Sequence, residues 1–263
     1  METQPTISLI IVNYRSAGAL RACLESLEVD NSNVAIEYIV VNNDPSESEA
    51  LSELGKRFPI RIITTSENIG FGAASNLGAE ATRADILGFL NPDTRLIDGS
   101  LDDIISVFRA REEIGVVGAT LVDAEGYPEH WSAGRTATLG SILGNHIGLS
   151  NGRMKRSDTP TPTGFVSGAA FFIRKSLFEN LGGFDERFFL YFEDMDLCLR
   201  ARNRGLEVIR LPKPVFVHDG GASQLSRDEQ KRHYYASQDI YFEKHRPKWE
   251  GFLVKIFKNW FVR

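Results

Sequence analysis

Short apolar runs alternate with amphipathic stretches along the first 112 residues of the chain. The apolar runs are brief and rich in β-branched residues, which is typical of buried strands. Between them, apolar residues recur at helical spacing, as they do after a potential helix cap at Ser16. The predicted strands are 7–12, 36–41, 60–64 and 85–90, and the predicted helices are one after Ser16, 46–57, 71–82 and 98–111.

This alternation predicts an α/β fold with an open, mostly parallel, twisted sheet and helices on both faces. Ligands of such sheets bind in a crevice at the carboxyl ends of the strands. Asn13, Asn42, residues 65–68 and Asp93 each follow a predicted strand. We therefore expect their side chains to converge on one crevice.

The rhythm changes after residue 112, where a long connection rich in Gly, Ser, Thr and Pro spans residues 121–163. A connection of that length inside a compact domain is usually functional or mobile. We therefore divide the chain into a first half (1–112), a second half (113–225) and a C-terminal helical segment (226–263). The later predicted strands are 115–120, 165–174, 208–211 and 215–218, and the later helices are 175–181, 194–204 and 226–263 with a break near Pro247.

Composition narrows the class of protein. The net charge of −5 argues against general nucleic-acid binding, which usually requires a basic excess. Cys23 and Cys198 form neither a disulfide framework nor a CxxC motif, so a cytoplasmic location is the simpler interpretation. No signal peptide is visible, and no apolar run approaches the roughly 18 residues that a membrane span needs. The basic amphipathic stretch 252–263 can lie on an anionic membrane, on its own domain or on a second subunit of a homodimer.

Carboxylates and one histidine supply the candidate chemistry. Asp93 follows Pro92 directly beyond an apolar strand, where it is either a rigid crevice ligand or an ordinary turn aspartate. Glu193 and Asp194 follow five apolar residues, so an apolar wall can tune their basicity, although acidic residues are also common in the first turn of a helix. His218 follows a short apolar strand and precedes two glycines. A histidine in that position is either structural or a metal ligand.

A glycine-bearing turn precedes the third predicted helix and contains Asn68, Gly70 and Phe71, with Asn76 one turn later. The backbone N–H groups of such a turn can face a phosphate. The spacing matches neither a Walker A loop nor GxGxxG. Close packing of small residues at a helix start explains the same pattern.

Taken together, these segments resemble the family 2 glycosyltransferases of the GT-A fold, and in particular their bacterial rhamnosyltransferase-like branch. Seven segments occur in the order that the family shows and cover roughly residues 7–225. They are 10–14, 40–43, 67–71 with Asn76, 89–94 (Phe-Leu-Asn-Pro-Asp-Thr), 166–169, 182–200 and 217–223.

The resemblance implies an inverting, metal-dependent transfer of a sugar from a nucleotide-diphosphate donor to a hydroxyl group. It implies that Asp93 and His218 bind Mn²⁺ or Mg²⁺, that Asp194 is the general base and that Glu193 is its acidic neighbour. It further implies that the first half binds the nucleotide and the second half the acceptor. The nucleotide-binding residues that it implies are Val12, Asn13, Tyr14, Asn42, Asn68, Gly70, Phe71, Asn76 and Asn91.

The donor and acceptor follow from the same resemblance. L-Rhamnose from dTDP-rhamnose is the expected donor, and a glycan or polyprenyl-linked glycan of the bacterial surface is the expected acceptor. Asn42 departs from the aspartate that many relatives carry, which leaves the base open. Two alternatives remain. A sugar-nucleotide pyrophosphorylase would need a glycine-rich phosphate loop near residues 12–16, which is absent. A non-catalytic nucleotide-binding module would not need Asp93, Asp194 and His218 together.

Overall fold

The computed structural model describes residues 4–28, 30, 32, 34–146, 157–220 and 225–261. Parts of three sequence-based expectations lie outside these residues: 147–156 of the long connection, 221–223 of the last resembling segment and 262–263 of the C-terminal stretch. The strands are β1 (Ile7–Asn13), β2 (Ile36–Asn42), β3 (Ile60–Thr64), β4 (Ile86–Leu90), β5 (Thr94–Asp98), β6 (Ile114–Val122), β7 (Ala133–Gly134), β8 (Thr161–Pro162), β9 (Phe165–Val166), β10 (Ala170–Arg174) and β11 (Glu207–His218).

Helices follow most of the strands, and the chain ends in two consecutive helices. A single 3-10 turn, Pro45–Glu47, precedes the second helix. The helices are α1 (Ala17–Leu27), α2 (Ser48–Arg57), α3 (Phe71–Glu80), α4 (Leu101–Ala110), α5 (Leu139–His146), α6 (Lys175–Leu181), α7 (Glu193–Asn203), α8 (Arg227–His245) and α9 (Lys248–Phe261).

One mixed, mostly parallel sheet runs through the protein in the order β3-β2-β1-β4-β10-β6-β11-β5, with β8 paired to β11. The pairs β3–β2, β2–β1, β1–β4 and β6–β11 are parallel, whereas β10 and β5 run antiparallel to their neighbours. The short pair β7–β9 stands apart. This arrangement confirms the predicted α/β class, and the sheet runs through both predicted halves.

Alternating side chains of β1 contribute to a hydrophobic core on each face of the sheet. Leu9 and Ile11 pack in a cluster with α1, α2 and α4, whereas Ile10 and Val12 pack in a second cluster with α3, α6 and α7. This is the period-two alternation of a strand that is buried on both faces. The predicted helices on both faces are therefore confirmed.

Three boundaries differ from the sequence-based expectations. The region before the fourth helix forms the edge strand β5, and the helix begins only at Leu101, because Gly99 has a φ of +84° and Ser100 supplies a capping box. The two short strands expected near residue 210 form one strand, β11, in which the prolines occupy a register shift between Arg210 and Val215. The expected strand 165–174 is instead divided into β9 and β10.

The cap of α1 is also different from the prediction. Ser16 occupies the N-cap position but makes no side-chain capping bond. The carboxylate of Glu47 accepts from the backbone N–H groups of Ser16 and Ala17 at 2.8 and 3.2 Å. An acidic side chain from the next crossover therefore caps this helix, which also favours the helix dipole.

The C-terminal helices pack on the second half of the chain through an ionic anchor. Asp196 is fully buried, and its carboxylate accepts from Arg200 at 2.8 Å, Lys244 at 2.7 Å and His245 at 2.6 Å. Val254 of α9 is buried in the same apolar cluster as α8. Asp196 is therefore a structural residue, and α9 packs at least partly on its own domain. None of the described helices is both long and apolar enough to cross a membrane.

Candidate active site

Asp93 and His218 lie side by side at one end of the sheet. The antiparallel pairing of β5 and β11 places Thr94 opposite His218. Asp93, which precedes Thr94, therefore lies beside the imidazole ring of His218. Asp93 Oδ1 lies 3.3 Å from His218 Nε2, and Asn91 Nδ2 lies 3.2 Å from that nitrogen. The structure therefore brings His218 next to Asn91 and Asp93, from which it is separated by more than 120 residues in the sequence.

Glu129 holds the opposite side of the His218 ring. Its two carboxylate oxygens lie 2.9 and 3.0 Å from Nδ1, which donates a hydrogen bond to them. A carboxylate in this position fixes the ring and leaves Nε2 facing the other way, as it does around metal-bound histidines. No motif or periodicity in residues 121–163 marks Glu129, so this contact is visible only in the folded chain.

The protonation of His218 is set by the two carboxylates. Burial lowers the pKa of His218, but the hydrogen bonds to Asp93 and Glu129 outweigh burial and raise the pKa to about 10. Asp93 and Glu129 therefore favour the protonated, cationic form of the His218 ring. A divalent ion on Nε2 would replace that proton, because metal and proton compete for the same lone pair.

These donors fit a divalent cation that also binds a diphosphate. Within the described ranges, no three His, Cys, Asp or Glu side chains converge on one metal position. Asp93 and His218 alone would leave most coordination positions to water and phosphate oxygens, which is common for Mg²⁺ in phosphate chemistry. The imidazole donor favours Mn²⁺ over Mg²⁺.

Asp194 stands next to this cluster at the start of α7. Its carboxylate accepts from the backbone N–H of Gly168 at 2.8 Å and of Met195 at 2.7 Å. Ala169, the residue after Gly168, accepts from the N–H of Asn91 at 3.1 Å. Burial raises the pKa of Asp194 while the backbone hydrogen bonds lower it, with a net increase. The result is an oriented, partly exposed carboxylate with enhanced basicity.

Glu193 is more deeply buried than Asp194. Its side chain is 5% exposed, and its Oε2 has no hydrogen-bond partner among the described residues. Burial, and then the charge of Asp194, raise the pKa of Glu193 well above its usual range. Of the two carboxyl groups, Glu193 therefore has the more strongly raised pKa, whereas backbone hydrogen bonds favour the ionised form of Asp194.

The turn before α7 is strained. Tyr191 and Phe192 have φ values of 70° and 69°, and each non-glycine residue in this region costs about 1–3 kcal/mol. Aromatic packing from α8 opposes the strain: Phe192 lies 5.2 Å from Tyr234 and 5.4 Å from Tyr241 between ring centroids. The C-terminal segment therefore helps to hold Asp194 at the crevice.

The turn at Gly70 joins α3 to the segment that precedes α7. Gly70 has a φ of +87°, and a Cβ there would lie 2.5 Å from the carbonyl oxygen of Phe189. That carbonyl accepts from the N–H of Phe71 at 2.9 Å. Asn68 Oδ1 accepts from Gly70 N and from Asn43 Nδ2. The glycine permits this close approach, and the polar groups of the turn are largely used within the protein.

Asn76 forms hydrogen bonds with the loop that leads to α7. Its Oδ1 accepts from Phe184 N at 2.9 Å, and its Nδ2 donates to Phe184 O at 3.0 Å and Glu186 Oε1 at 3.1 Å. A Cβ on Gly183 would lie 2.6 Å from Asn76 Oδ1. The contacts of Asn76 are therefore those of a residue that shapes the crevice wall.

Asn13 and Asn42 end adjacent strands and are fully buried. Asn13 Nδ2 donates to Glu47 at 2.7 Å. Asn42 Nδ2 donates to Ser48 at 3.2 Å, and Asn42 Oδ1 accepts from Asp44 N at 3.3 Å. Both side chains stabilise the turns at the crevice, and their contact with a nucleotide stays a prediction.

The edge of the crevice beside the ends of β1 and β2 is polar and more exposed to solvent. Val12 is nearly buried, whereas Tyr14 is half-buried with the Arg15 guanidinium 5.1 Å from its ring centroid. Arg15 Nε donates to Asp44 at 2.7 Å. This hydrogen bond is the main cause of a lowered pKa for Asp44. This side of the crevice therefore offers an aromatic ring and an ion pair.

Comparison with known families bears on this arrangement. A family model described as "Glycosyltransferase like family 2" matches residues 5–236. The chain belongs to the family 2-like glycosyltransferases. That range contains Asp93, Glu129, Asp194 and His218, so the whole cluster lies inside the transferase region.

Curated relatives of this glycosyltransferase share about a quarter of its residues. The O-antigen biosynthesis protein RfbC of Myxococcus xanthus is 28% identical over 249 residues, which are 90% of this chain but 19% of that protein. The N-acetylglucosaminyl-diphospho-decaprenol L-rhamnosyltransferase of Mycobacterium tuberculosis (strain CDC 1551 / Oshkosh) is 26% identical over 81% of this chain and 75% of its own. The chain thus spans only a small part of the first relative.

Solved structures show the fold of the transferase. GalNAc-T7, crystallised with UDP, GalNAc and Mn²⁺, has a TM-score of 0.68 at 14% identity, covering 93% of this chain and 49% of its own. The mannosyltransferase of Pyrobaculum calidifontis, in complex with GDP-Man and Mn²⁺, has a TM-score of 0.60 at 15% identity, covering 97% and 65%. Both are GT-A neighbours, so the expected fold is confirmed.

Proposed function

We propose that this glycosyltransferase moves a sugar, with inversion, from a nucleoside-diphosphate donor to a hydroxyl group of a bacterial surface glycan. One observation carries the proposal. A carboxylate–histidine pair suited to a divalent cation and a separate basic carboxylate, Asp194, flank the same turn at Asn91. A transfer of this kind needs charge compensation on the leaving diphosphate and a base for the attacking hydroxyl.

Asp93 and His218 would hold the cation, and Glu129 would orient His218. A divalent ion held there would stabilise the negative charge of the leaving diphosphate. Asp194 accepts the proton of the acceptor hydroxyl while that oxygen bonds to the anomeric carbon and the bond from that carbon to the diphosphate breaks. Gly168 and Met195 hold the Asp194 oxygens in place. The raised pKa of Glu193 favours its neutral form, which adds no second negative charge.

Donor binding is proposed for residues 1–112 and acceptor binding for residues 113–225. In the donor half, Tyr14 and Asn91 are half-buried at the crevice, and we propose that they contact the donor. The other predicted nucleotide-binding residues would act by shaping the crevice through their buried contacts. These are Val12, Asn13, Asn42, Asn68, Gly70, Phe71 and Asn76.

The names of two relatives support a finer proposal for substrate. One is an L-rhamnosyltransferase that acts on a diphospho-decaprenol, and the other is an O-antigen biosynthesis protein. We therefore favour dTDP-rhamnose as donor and a polyprenyl-linked glycan as acceptor, used at the cytoplasmic face of the membrane. Tyr127 and Trp131 are exposed on the loop that carries Glu129, which suits stacking against an acceptor sugar.

Calorimetry with dTDP-, UDP- and GDP-sugars, with and without Mn²⁺, tests the donor site. We expect one nucleotide class to bind in the presence of Mn²⁺ and to lose that dependence in Asp93→Asn. Asp194→Asn should keep donor affinity and lose transfer to acceptor. An Asp194→Asn protein that still transfers at the wild-type rate would refute the assigned base, and absence of any donor binding would favour a non-catalytic module.

A further inference from the structure

The exposed side of α9 carries three large apolar side chains. Trp249, Phe252 and Ile256 are 59%, 65% and 43% exposed, and their spacing of three and four residues places them on one side of the helix. We call these three residues the α9 strip. Leu253 and Phe257 of the same helix are half-buried and do not belong to the strip.

The three side chains of the α9 strip form a cluster of exposed apolar surface and are not isolated exposed residues. Seven large hydrophobic side chains are exposed in the part of the chain that the structure describes, and three of them form this strip. Single exposed apolar residues are normal on a protein surface, whereas contiguous patches mark contact sites. The buried side of the helix is already used, because Val254 packs in the cluster with α8.

Positive charge flanks the strip. Lys248 and Lys255 are exposed, and Lys255 follows Phe252 by three residues, on the same side of the helix. The acidic residue of α9, Glu250, is buried and accepts from both Nε and Nη2 of Arg246. The exposed side of α9 is therefore aromatic and cationic, although the chain as a whole has a net charge of −5.

We propose that the α9 strip docks on an anionic lipid surface. Trp, Phe and Ile side chains enter the interfacial region of a bilayer, while flanking lysines meet lipid phosphates. Such docking gives the transferase access to a lipid-linked acceptor, and to that extent the inference rests on the proposed function. Binding to lipid itself requires neither donor nor acceptor.

A second copy of the chain fits the strip less well. Two large aromatics and an isoleucine at these exposures present about 300–400 Å², given that a whole aromatic side chain buries 150–250 Å². A stable interface buries about 800 Å² on each partner. A contact between two copies of this strip would also bring lysines of both copies together, whereas an anionic surface complements them.

Contacts connect the strip to the crevice. Glu250, one residue after Trp249, accepts from the backbone N–H of Leu139 at 3.2 Å. Two residues before Leu139, the N–H of Ala137 contacts Met195 Sδ at 3.3 Å. Met195 follows the proposed base, so the docking surface and Asp194 belong to one packed unit.

Sedimentation of the full chain with lipid vesicles tests the inference. One set of vesicles contains phosphatidylcholine only, and the other contains equal parts of phosphatidylcholine and phosphatidylglycerol. The strip variant combines Trp249→Ser, Phe252→Ser and Ile256→Ser, and the charge variant combines Lys248→Gln and Lys255→Gln. The matched control combines Leu77→Ser and Ile97→Ser, which remove exposed apolar side chains from α3 and β5.

We expect the wild type to bind the anionic vesicles, the strip variant to bind at least tenfold more weakly and the control to bind normally. The charge variant should bind roughly fivefold more weakly for each lysine. Equal binding by the strip variant and the wild type, or no binding by the wild type, would overturn the inference. A wild-type dimer that the strip variant dissociates would assign the strip to a second copy. Donor calorimetry on the same proteins separates this failure from failure of the proposed function, because every variant should bind donor as the wild type does.

Discussion

The Glu129–His218 contact yields a sharp prediction about metal binding. Glu129→Ala removes both hydrogen bonds to Nδ1 and frees the ring to rotate away from Asp93. We call Glu129 a positioning residue, because it faces Nδ1 and not the proposed metal position on the Nε2 side. The substitution should therefore weaken the binding of Mn²⁺ without removing either proposed ligand.

The size of the effect follows from the contacts. Hydrogen bonds to charged groups contribute about 1.5–3 kcal/mol. Because the Glu129 side chain is only 28% exposed, water in the alanine variant replaces its hydrogen bonds to His218 incompletely. We expect Mn²⁺ affinity to fall by roughly 10- to 100-fold, the range found for carboxylates behind metal-bound histidines. Glu129→Gln should retain most of the affinity, because the amide oxygen still accepts from Nδ1–H.

Electron paramagnetic resonance of free Mn²⁺, titrated with protein and the nucleoside diphosphate of the donor, measures the affinity directly. Glu125→Ala is the matched control, because Glu125 is an exposed acidic residue on the same loop. Circular dichroism would establish that each variant is folded. A folded Glu129→Ala protein that binds Mn²⁺ as tightly as the wild type would refute the positioning role.

Four further results are expected. Asp194→Asn should lower the rate of transfer about 10²- to 10⁴-fold with donor affinity unchanged in calorimetry. Asp196→Ala leaves Arg200 and Lys244 without their buried partner, so urea unfolding should show a loss of about 3–5 kcal/mol; a loss near zero would contradict the anchor. Burial raises the pKa of Asp196, but hydrogen bonds and nearby cations outweigh burial and lower the pKa in the folded protein. The ionised Asp196 carboxylate therefore stabilises the fold fully above about pH 4, the usual pKa of an aspartate in an unfolded chain. This stabilisation should be lost as the pH falls through the lower pKa of Asp196 in the folded protein. Wild type and Asp196→Asn should therefore converge in stability in acid. Trp131→Ala should raise the KM for acceptor and leave donor affinity unchanged, whereas an unchanged KM would exclude stacking.

Much of the fold was accessible from residue patterns, because those patterns reflect local geometry. Ile7–Asn13 is apolar on both faces, and the helix that contains Leu20 and Leu24 has the spacing of a buried stripe. The edge strand β5 was missed because its residues alternate over only five positions before Gly99. The cap of α1 was assigned to Ser16 because a cap from Glu47 depends on contact between separate crossovers.

The residues of the candidate site also differ in whether the sequence alone could identify them. Asp93, Asp194 and His218 were recognisable because each lies in a motif beside a strand or helix end. Glu129 was not recognisable, since its role depends on one contact with a histidine that lies 89 residues further along the chain. The resemblance implies that Asn13 and Asn42 contact the nucleotide, which stays a prediction, and the structure adds that both side chains are buried in hydrogen bonds with the protein.

By itself, the sequence determined the α/β alternation and the family, and it predicted the three side chains to which we assign the chemistry. Only the tertiary structure decided that Asp196 is an anchor, that burial raises the pKa of Glu193 and that Glu129 contacts His218. It also decided which side of α9 is exposed. The physical reason is that secondary structure follows from contacts between residues a few positions apart, whereas burial, pKa and side-chain pairing depend on neighbours that long-range strand and helix packing brings together.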